Sequence, residues 1–145
     1  MLPDFESTGY LPEGIHPCTL DEFFKKFMNT PWRSKFKQGL MQLIYDLNSI
    51  GVSTIYIDGS FVTNKRLPND MDICWEDTGI DYTAAQTMHP ILFDWKFPRK
   101  KQQSKYGADV FPARLYEGGS KLYFLDFFQN IKYSSERKGI VKIHI

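Results

Sequence analysis

The sequence predicts an α/β fold in which a small mixed sheet is flanked by helices. Four short runs are rich in the β-branched and aromatic residues typical of strands, at residues 54–57, 71–76, 108–111 and 139–145. Helix-start signals and apolar residues at helical spacing lie before and between these runs. With 145 residues, 42% of them hydrophobic and 16% aromatic, the chain has the size of one domain and enough apolar side chains for a core.

The first third of the chain is expected to begin irregularly and then form two helices. Residues 1–18 are rich in proline and glycine, which indicates an irregular lead-in, so residues 19–145 are predicted to form the single domain. A capping-box pattern predicts a short helix over 19–28. A Thr-Pro pair predicts a second helix over 30–50, which glycine then ends. Its apolar face is formed by Phe36, Leu40, Leu43, Ile44 and Leu47.

Three further segments complete the prediction. A short helix is expected over 80–88, stopped by the proline that follows. Residues 96–105 are polar and basic and indicate a loop or a short helix. A helix is predicted over 121–131, which contains several large apolar residues. The chain then ends in the alternating strand at 139–145.

Composition limits the classes of function. The formal net charge is +1, so overall charge favours neither nucleic acid nor membrane binding, and nothing indicates DNA as a partner. No apolar run approaches the length of a membrane-spanning helix, and the N-terminus lacks the basic start and apolar stretch of a secretory signal. The two cysteines are isolated, which argues against a disulfide framework. We therefore expect a cytoplasmic protein that does not bind membranes.

One short segment carries most of the chemical information. Asp70 and Asp72 flank a single apolar residue, so in a strand their carboxylates lie on the same face. Neighbouring carboxylates repel each other unless a cation lies between them, and a hard divalent ion such as Mg²⁺ is the natural cation for oxygen ligands. Upstream, Gly59 and Ser60 offer backbone N–H groups and a hydroxyl for phosphate. Asp58 could be a base or a turn residue, and the turn is favoured because Asp-Gly is a common turn dipeptide.

The same segment resembles the nucleotidyltransferase superfamily, the DNA polymerase β-like fold that includes the small minimal and antitoxin-type nucleotidyltransferases. That pattern is an apolar residue, a Gly-Gly or Gly-Ser pair, a spacer of about ten residues, and an acidic-apolar-acidic triplet. Gly59 and Ser60 match the pair, and Asp70 and Asp72 match the triplet. Asp109, between apolar neighbours, stands where the superfamily has a third carboxylate.

The resemblance extends over about residues 54–111 and implies the role of each matching residue. Asp70, Asp72 and Asp109 would be the catalytic and metal-binding residues, with Mg²⁺ or Mn²⁺ as the cofactor. Gly59 and Ser60 would contact the triphosphate of a nucleoside triphosphate, with ATP the first expectation.

Some residues near the motif have an open role. Lys65 and Arg66, in the spacer, could pair with the β- or γ-phosphate or could belong to an ordinary solvated loop. The superfamily often has an arginine soon after Gly-Ser, and this chain has none in residues 61–64. The basic residues of 96–105 could follow an RNA backbone or form a solvated loop.

The resemblance implies a metal-dependent enzyme that transfers a nucleoside monophosphate from a nucleoside triphosphate to a protein or RNA hydroxyl. A toxin–antitoxin component is included in this expectation, and the acceptor would then be a cognate toxin. The alternative is a catalytically inactive module of the same fold that acts by protein–protein contact. A third reading is an RNA-binding accessory domain.

Overall fold

The computed structural model describes residues 1–145 and confirms the α/β class, with one five-stranded mixed sheet. The strands, named in chain order, are β1 (Gly14–Cys18), β2 (Thr54–Asp58), β3 (Met71–Trp75), β4 (Ala108–Pro112) and β5 (Gly139–His144). Their order across the sheet is β1-β5-β2-β3-β4. The outer pairs β1–β5 and β3–β4 are parallel, whereas β2 is antiparallel to both of its neighbours. The C-terminal strand therefore lies inside the sheet and not at its edge.

Six helices accompany the sheet. They are α1 (Leu20–Phe27), α2 (Pro31–Ser34), α3 (Lys37–Ser49), α4 (Tyr82–Met88), α5 (Lys100–Tyr106) and α6 (Phe124–Phe127). The capping box that predicted α1 is present, because Thr19 and Glu22 each bond the other's backbone N–H. No helix of the structure has the length and apolar character needed to cross a membrane.

The helix predicted over 30–50 is divided into α2 and α3. The Phe36 N–H donates to the carbonyl of Arg33, three residues back, so the chain tightens there and a new helix begins at Lys37. The guanidinium of Arg33 turns inward, and the residue as a whole is only 5% exposed. The predicted apolar face and the C-terminal glycine are both confirmed, since all five apolar residues are buried and Gly51 has φ +92°.

Two other expectations differ from the structure. Within the lead-in predicted over residues 1–18, Gly14–Cys18 form strand β1, because their backbone pairs in parallel with β5. The helix predicted over 121–131 is reduced to the single turn α6. Lys121 has φ +61°, in the left-handed region that ends a helix, and the N–H groups of Phe124 and Leu125 donate instead to the chain that follows β4.

The two faces of the sheet carry separate apolar clusters. Helices α1 and α3 contribute to a cluster of 23 buried residues on one face, which includes Ile57, Ile73 and Val110. A smaller cluster of seven, which includes Cys74 and Phe111, lies on the other face. Side chains alternate along strands, so the residues two positions from Cys74 and Phe111, Asp72 and Asp109, belong to the face of the smaller cluster. The candidate site lies on that face.

Candidate functional site

Three aspartates form a row across adjacent strands. Asp58, the last residue of β2, pairs with Asp72 in β3, and Asp72 pairs with Asp109 in β4. Residues that are directly opposite in neighbouring strands present their side chains on the same face. Asp70 immediately precedes β3, and Gln103 contacts both Asp70 and Asp109, so Asp70 lies beside this row. The structure thus brings together the three predicted carboxylates and adds a fourth, Asp58.

Asp72, in the middle of the row, is the most electrostatically stressed of the four. Its pKa is raised to about 7, first by burial and then by the carboxylates of Asp58, Asp70 and Asp109, while Lys138 acts in the opposite direction. Burial and then Asp109 likewise raise the pKa of Asp70. Concentrated negative charge without a matching cation is the condition under which a bound divalent ion is most stabilising.

Asp58 is buried and paired, and it is not the solvated turn residue that the dipeptide suggested. Its side chain is 3% exposed, and the Lys138 Nζ lies 3.4 Å from its Oδ1. That contact lacks hydrogen-bond alignment, so Oδ1 is a buried oxygen without a donor. Burial raises the pKa of Asp58 to about 6, against the lowering effect of Lys138.

At the other end of the row, Asp109 is held by two side chains of the segment around α5. The Arg99 Nε lies 3.0 Å from Oδ1 of Asp109, and Arg99 Nη2 donates to Oδ2 at 3.2 Å. Gln103 donates to Oδ1 at 2.8 Å and reaches Asp70 Oδ2 at 3.4 Å. The outer carboxylates therefore each face a cation of the protein, while Asp72 between them receives no hydrogen bond from another side chain.

Gly59 is required by the close approach of the chain to the row. It has φ +80°, and a Cβ placed there would collide with the carboxylate of Asp72. The turn that follows, Ser60–Val62, is fixed from inside by Arg33, whose guanidinium donates to the carbonyls of Phe61 at 2.6 Å and Thr63 at 2.9 Å. Sequence reasoning noticed that no arginine follows Ser60, and the structure supplies one from α2 as a support for this loop.

Two cavities adjoin the row. The first, which we call the polar cavity, has a volume of about 380 Å³ and is lined by Gly59 and Ser60 together with three lysines, Lys65, Lys132 and Lys138. The second, which we call the aromatic cavity, has a volume of about 880 Å³, and Asp58, Asp72, Arg99 and Asp109 lie in its wall. Its aromatic lining consists of Trp95, Phe111, Tyr116, Phe124, Phe127, Phe128 and Tyr133. Both cavities share Ile131, Lys132 and Lys138.

The predicted phosphate-contacting residues differ in outcome. Lys65 lines the polar cavity beside Ser60, whereas Arg66 is exposed and lines neither cavity. In the basic segment 96–105, Arg99 contacts the row, but Lys105 is engaged elsewhere, 2.9 Å from the buried Asp46. The segment therefore supports the site through one residue and does not form a continuous basic stripe.

Sequence reasoning missed Gln103, Lys132 and Lys138 as site residues, favoured a turn role over a base for Asp58, and assigned Arg99 only to the basic segment. A usable signal existed for Asp58, because it ends a strand directly before the Gly59-Ser60 pair. The lysines lie far along the chain, and only the insertion of β5 beside β2 brings them to the site. No local pattern could have indicated them.

The residue types of the row suit a hard divalent cation, but their present arrangement does not. Carboxylate oxygens are the ligands that Mg²⁺ and Mn²⁺ prefer, and the buried Asp58 Oδ1 shows that the row has oxygen atoms whose bonding is incomplete. In this structure, however, no three acidic, imidazole or thiol groups stand together as a ready-made coordination cluster. Arg99 and Gln103 occupy the oxygens of Asp109, so a cation bound there would require Arg99 to move.

Comparison with known proteins gives a family but no function. No curated protein and no solved structure has significant similarity to the chain. A family model matches residues 3–144, which is nearly the whole length. The chain therefore belongs to the family described as "Family of unknown function (DUF6932)".

Proposed function

We propose that this protein is a metal-dependent nucleotidyltransferase that transfers a nucleoside monophosphate from a nucleoside triphosphate to a protein or RNA hydroxyl. The observation that carries the proposal is the register of the sheet, which places Asp72 beside Asp109 and directly against Gly59. A Gly-Ser turn at one side of a carboxylate row is the arrangement that the superfamily resemblance implies. The proposal includes ATP as the first donor to test and a toxin–antitoxin setting as one biological context.

Asp70, Asp72 and Asp109 would hold the divalent ions. Bound there, such ions would stabilise the negative charge that develops on the attacking and leaving oxygens of phosphoryl chemistry. The raised pKa of Asp72 is consistent with this role, because a cation would restore the ionised form that burial disfavours.

The protein's own groups would position the two substrates. Gly59, lacking a side chain, leaves room for a phosphate to approach Asp72, and Ser60 lines the polar cavity. The aromatic cavity opens directly on Asp72 and Asp109, and its rings offer stacking surfaces to a base or another planar group. An acceptor hydroxyl in this cavity would lie beside the carboxylate row.

A second candidate function rests on a specific observation, the ion pair between Arg99 and Asp109. A guanidinium that stays on this carboxylate would keep a metal away, and the fold would then serve as an inactive binding module that neutralises a partner by contact. This candidate predicts a protein that binds no divalent ion at the row, even with nucleotide present.

The proposal is tested by transfer of label from α-labelled nucleoside triphosphates, one base at a time, with Mg²⁺ or Mn²⁺ in a cell extract. Wild type is compared with Asp72→Asn and with Asp21→Asn, a control that removes an exposed carboxylate of α1. We expect one labelled protein or RNA band with wild type and the control, and none with Asp72→Asn. No label with any nucleotide, from folded protein, would contradict the proposal and favour the binding module.

A further inference from the structure

We infer that the polar cavity is a polyphosphate-binding site and that two of its three lysines, Lys132 and Lys138, come from outside the segment that resembles nucleotidyltransferases. The inference rests on the proposed function, since it assigns the residues that would hold the triphosphate of the donor. Three separate parts of the chain meet to form the cavity: the lead-in at 8–10, the loop 59–65 and the C-terminal segment 131–138.

The wall formed by the lead-in is fixed closely to the loop. The Asn64 N–H donates to the Gly9 carbonyl at 3.0 Å, and Tyr10 forms a β-bridge with Thr63. Gly9 has φ +87°, and a Cβ at this position would collide with the Asn64 side chain. The lead-in is therefore an ordered wall of the cavity, and its contact with the loop requires glycine.

The charges of the cavity favour an anion. Its lining contains the three lysines Lys65, Lys132 and Lys138 and no acidic residue. Lys65 and Lys132 take part in no ion pair of the structure. Lys138 forms an ion pair with Asp58, so its ammonium group lies between the cavity and the carboxylate row. Ammonium groups around a polar hollow bind the multiple negative charges of a polyphosphate chain better than those of a single phosphate.

The position of the polar cavity also fits a single ligand that extends from its lysines to the carboxylate row. Gly59 and Ser60 form its floor on the side of the row, and the shared residues Lys132 and Lys138 separate it from the aromatic cavity. A nucleoside triphosphate with its terminal phosphates among the lysines would place its α-phosphate toward Asp72. A single orthophosphate could contact only some of the three lysines.

The experiment is calorimetric titration of the metal-free protein with inorganic tripolyphosphate, a probe that has no base and no sugar. Wild type is compared with Lys132→Gln, with Lys65→Gln and with the control Lys142→Gln, which removes an exposed lysine of β5 that lines neither cavity. Lys132 and Lys65 are both exposed, so their substitution leaves the core intact. We expect each cavity variant to weaken binding about five- to tenfold, the effect of losing one charge-assisted contact, and the control to stay within about twofold of wild type. We also expect orthophosphate to bind more weakly than tripolyphosphate.

Absence of saturable binding, or equal weakening by Lys142→Gln, would overturn the inference, because attraction would then follow net charge alone. The inference and the proposed function fail in different ways. Saturable tripolyphosphate binding without label transfer would leave the cavity assigned and refute the enzyme. Label transfer with a KM for the nucleotide that is unchanged in Lys65→Gln and Lys132→Gln would support the enzyme and refute the cavity.

Discussion

Replacement of the central carboxylate, Asp72→Asn, should stabilise the metal-free protein at alkaline pH. The folded-state pKa of Asp72 is raised from 3.8 to about 7, so the folded state keeps a proton that the unfolded chain has already released. The stability associated with this proton is complete below about pH 4 and is lost as the pH rises through about 7. Since one pKa unit corresponds to about 1.4 kcal/mol, ionised Asp72 costs the fold about 2–4 kcal/mol.

The expected result is therefore a pH-dependent difference between the two proteins. Asparagine has the shape of aspartate and carries no charge, so Asp72→Asn should match wild type below about pH 4 and exceed its free energy of unfolding by about 2–4 kcal/mol at pH 8–9. Urea denaturation in EDTA at the two pH values measures this difference, and Asp21→Asn, at an exposed carboxylate, serves as the control.

Addition of Mg²⁺ or Mn²⁺ should reverse the order at pH 8, because the ion stabilises wild type by mass action and has lost a ligand in the variant. A variant less stable than wild type at pH 8 in EDTA would refute the reasoning, since ionised Asp72 would then be stabilising without a metal. Equal stability at both pH values would refute it as well.

Three further predictions concern the neighbours of the row. Arg99→Gln removes the cation that faces Asp109 and should tighten Mn²⁺ binding roughly three- to tenfold in calorimetry. Lys101→Gln, at an exposed lysine, is the control and should leave the affinity unchanged. Unchanged affinity in Arg99→Gln would mean that the ion pair does not compete with metal. Gly59→Ala forces a side chain against Asp72 at a left-handed φ and should lower the free energy of unfolding by about 1–3 kcal/mol in urea denaturation. Unchanged stability would show that the backbone does not approach the carboxylate this closely. Arg33→Met leaves the loop carbonyls without their buried donor and should lower the free energy of unfolding by about 3 kcal/mol in the same assay. Proteolysis near residues 61–65 should also be faster. Wild-type stability would exclude a supporting role for Arg33.

The parts of the molecule that sequence could predict are those encoded by neighbouring residues. The capping box of α1, the apolar face of α3 and the proximity of Asp70 and Asp72 follow from local sequence patterns, and the structure has all of them. The break at Phe36 and the loss of the helix at 121–131 depend on contacts with distant segments, which outweigh helix propensity.

In the candidate site, too, some residues were predictable from the sequence and others depend on contacts between distant segments. Asp109 was placed by resemblance, and the parallel pairing of β4 with β3 brings it beside Asp72. Lys138 reaches Asp58 only because β5 inserts between β1 and β2, a feature of topology that no local pattern encodes. Arg99 was visible as a basic residue, but its approach to Asp109 depends on how the segment before α5 folds back onto β4.

The most direct test of the carboxylate row as a metal and nucleotide site is an anomalous difference map from crystals grown with Mn²⁺ and a non-hydrolysable nucleoside triphosphate. Our account predicts a manganese peak coordinated by Asp70 and Asp72, with Arg99 displaced from Asp109 and the triphosphate beside Gly59. A map with nucleotide bound elsewhere, or with Arg99 still paired to Asp109 and no manganese at the row, would contradict it.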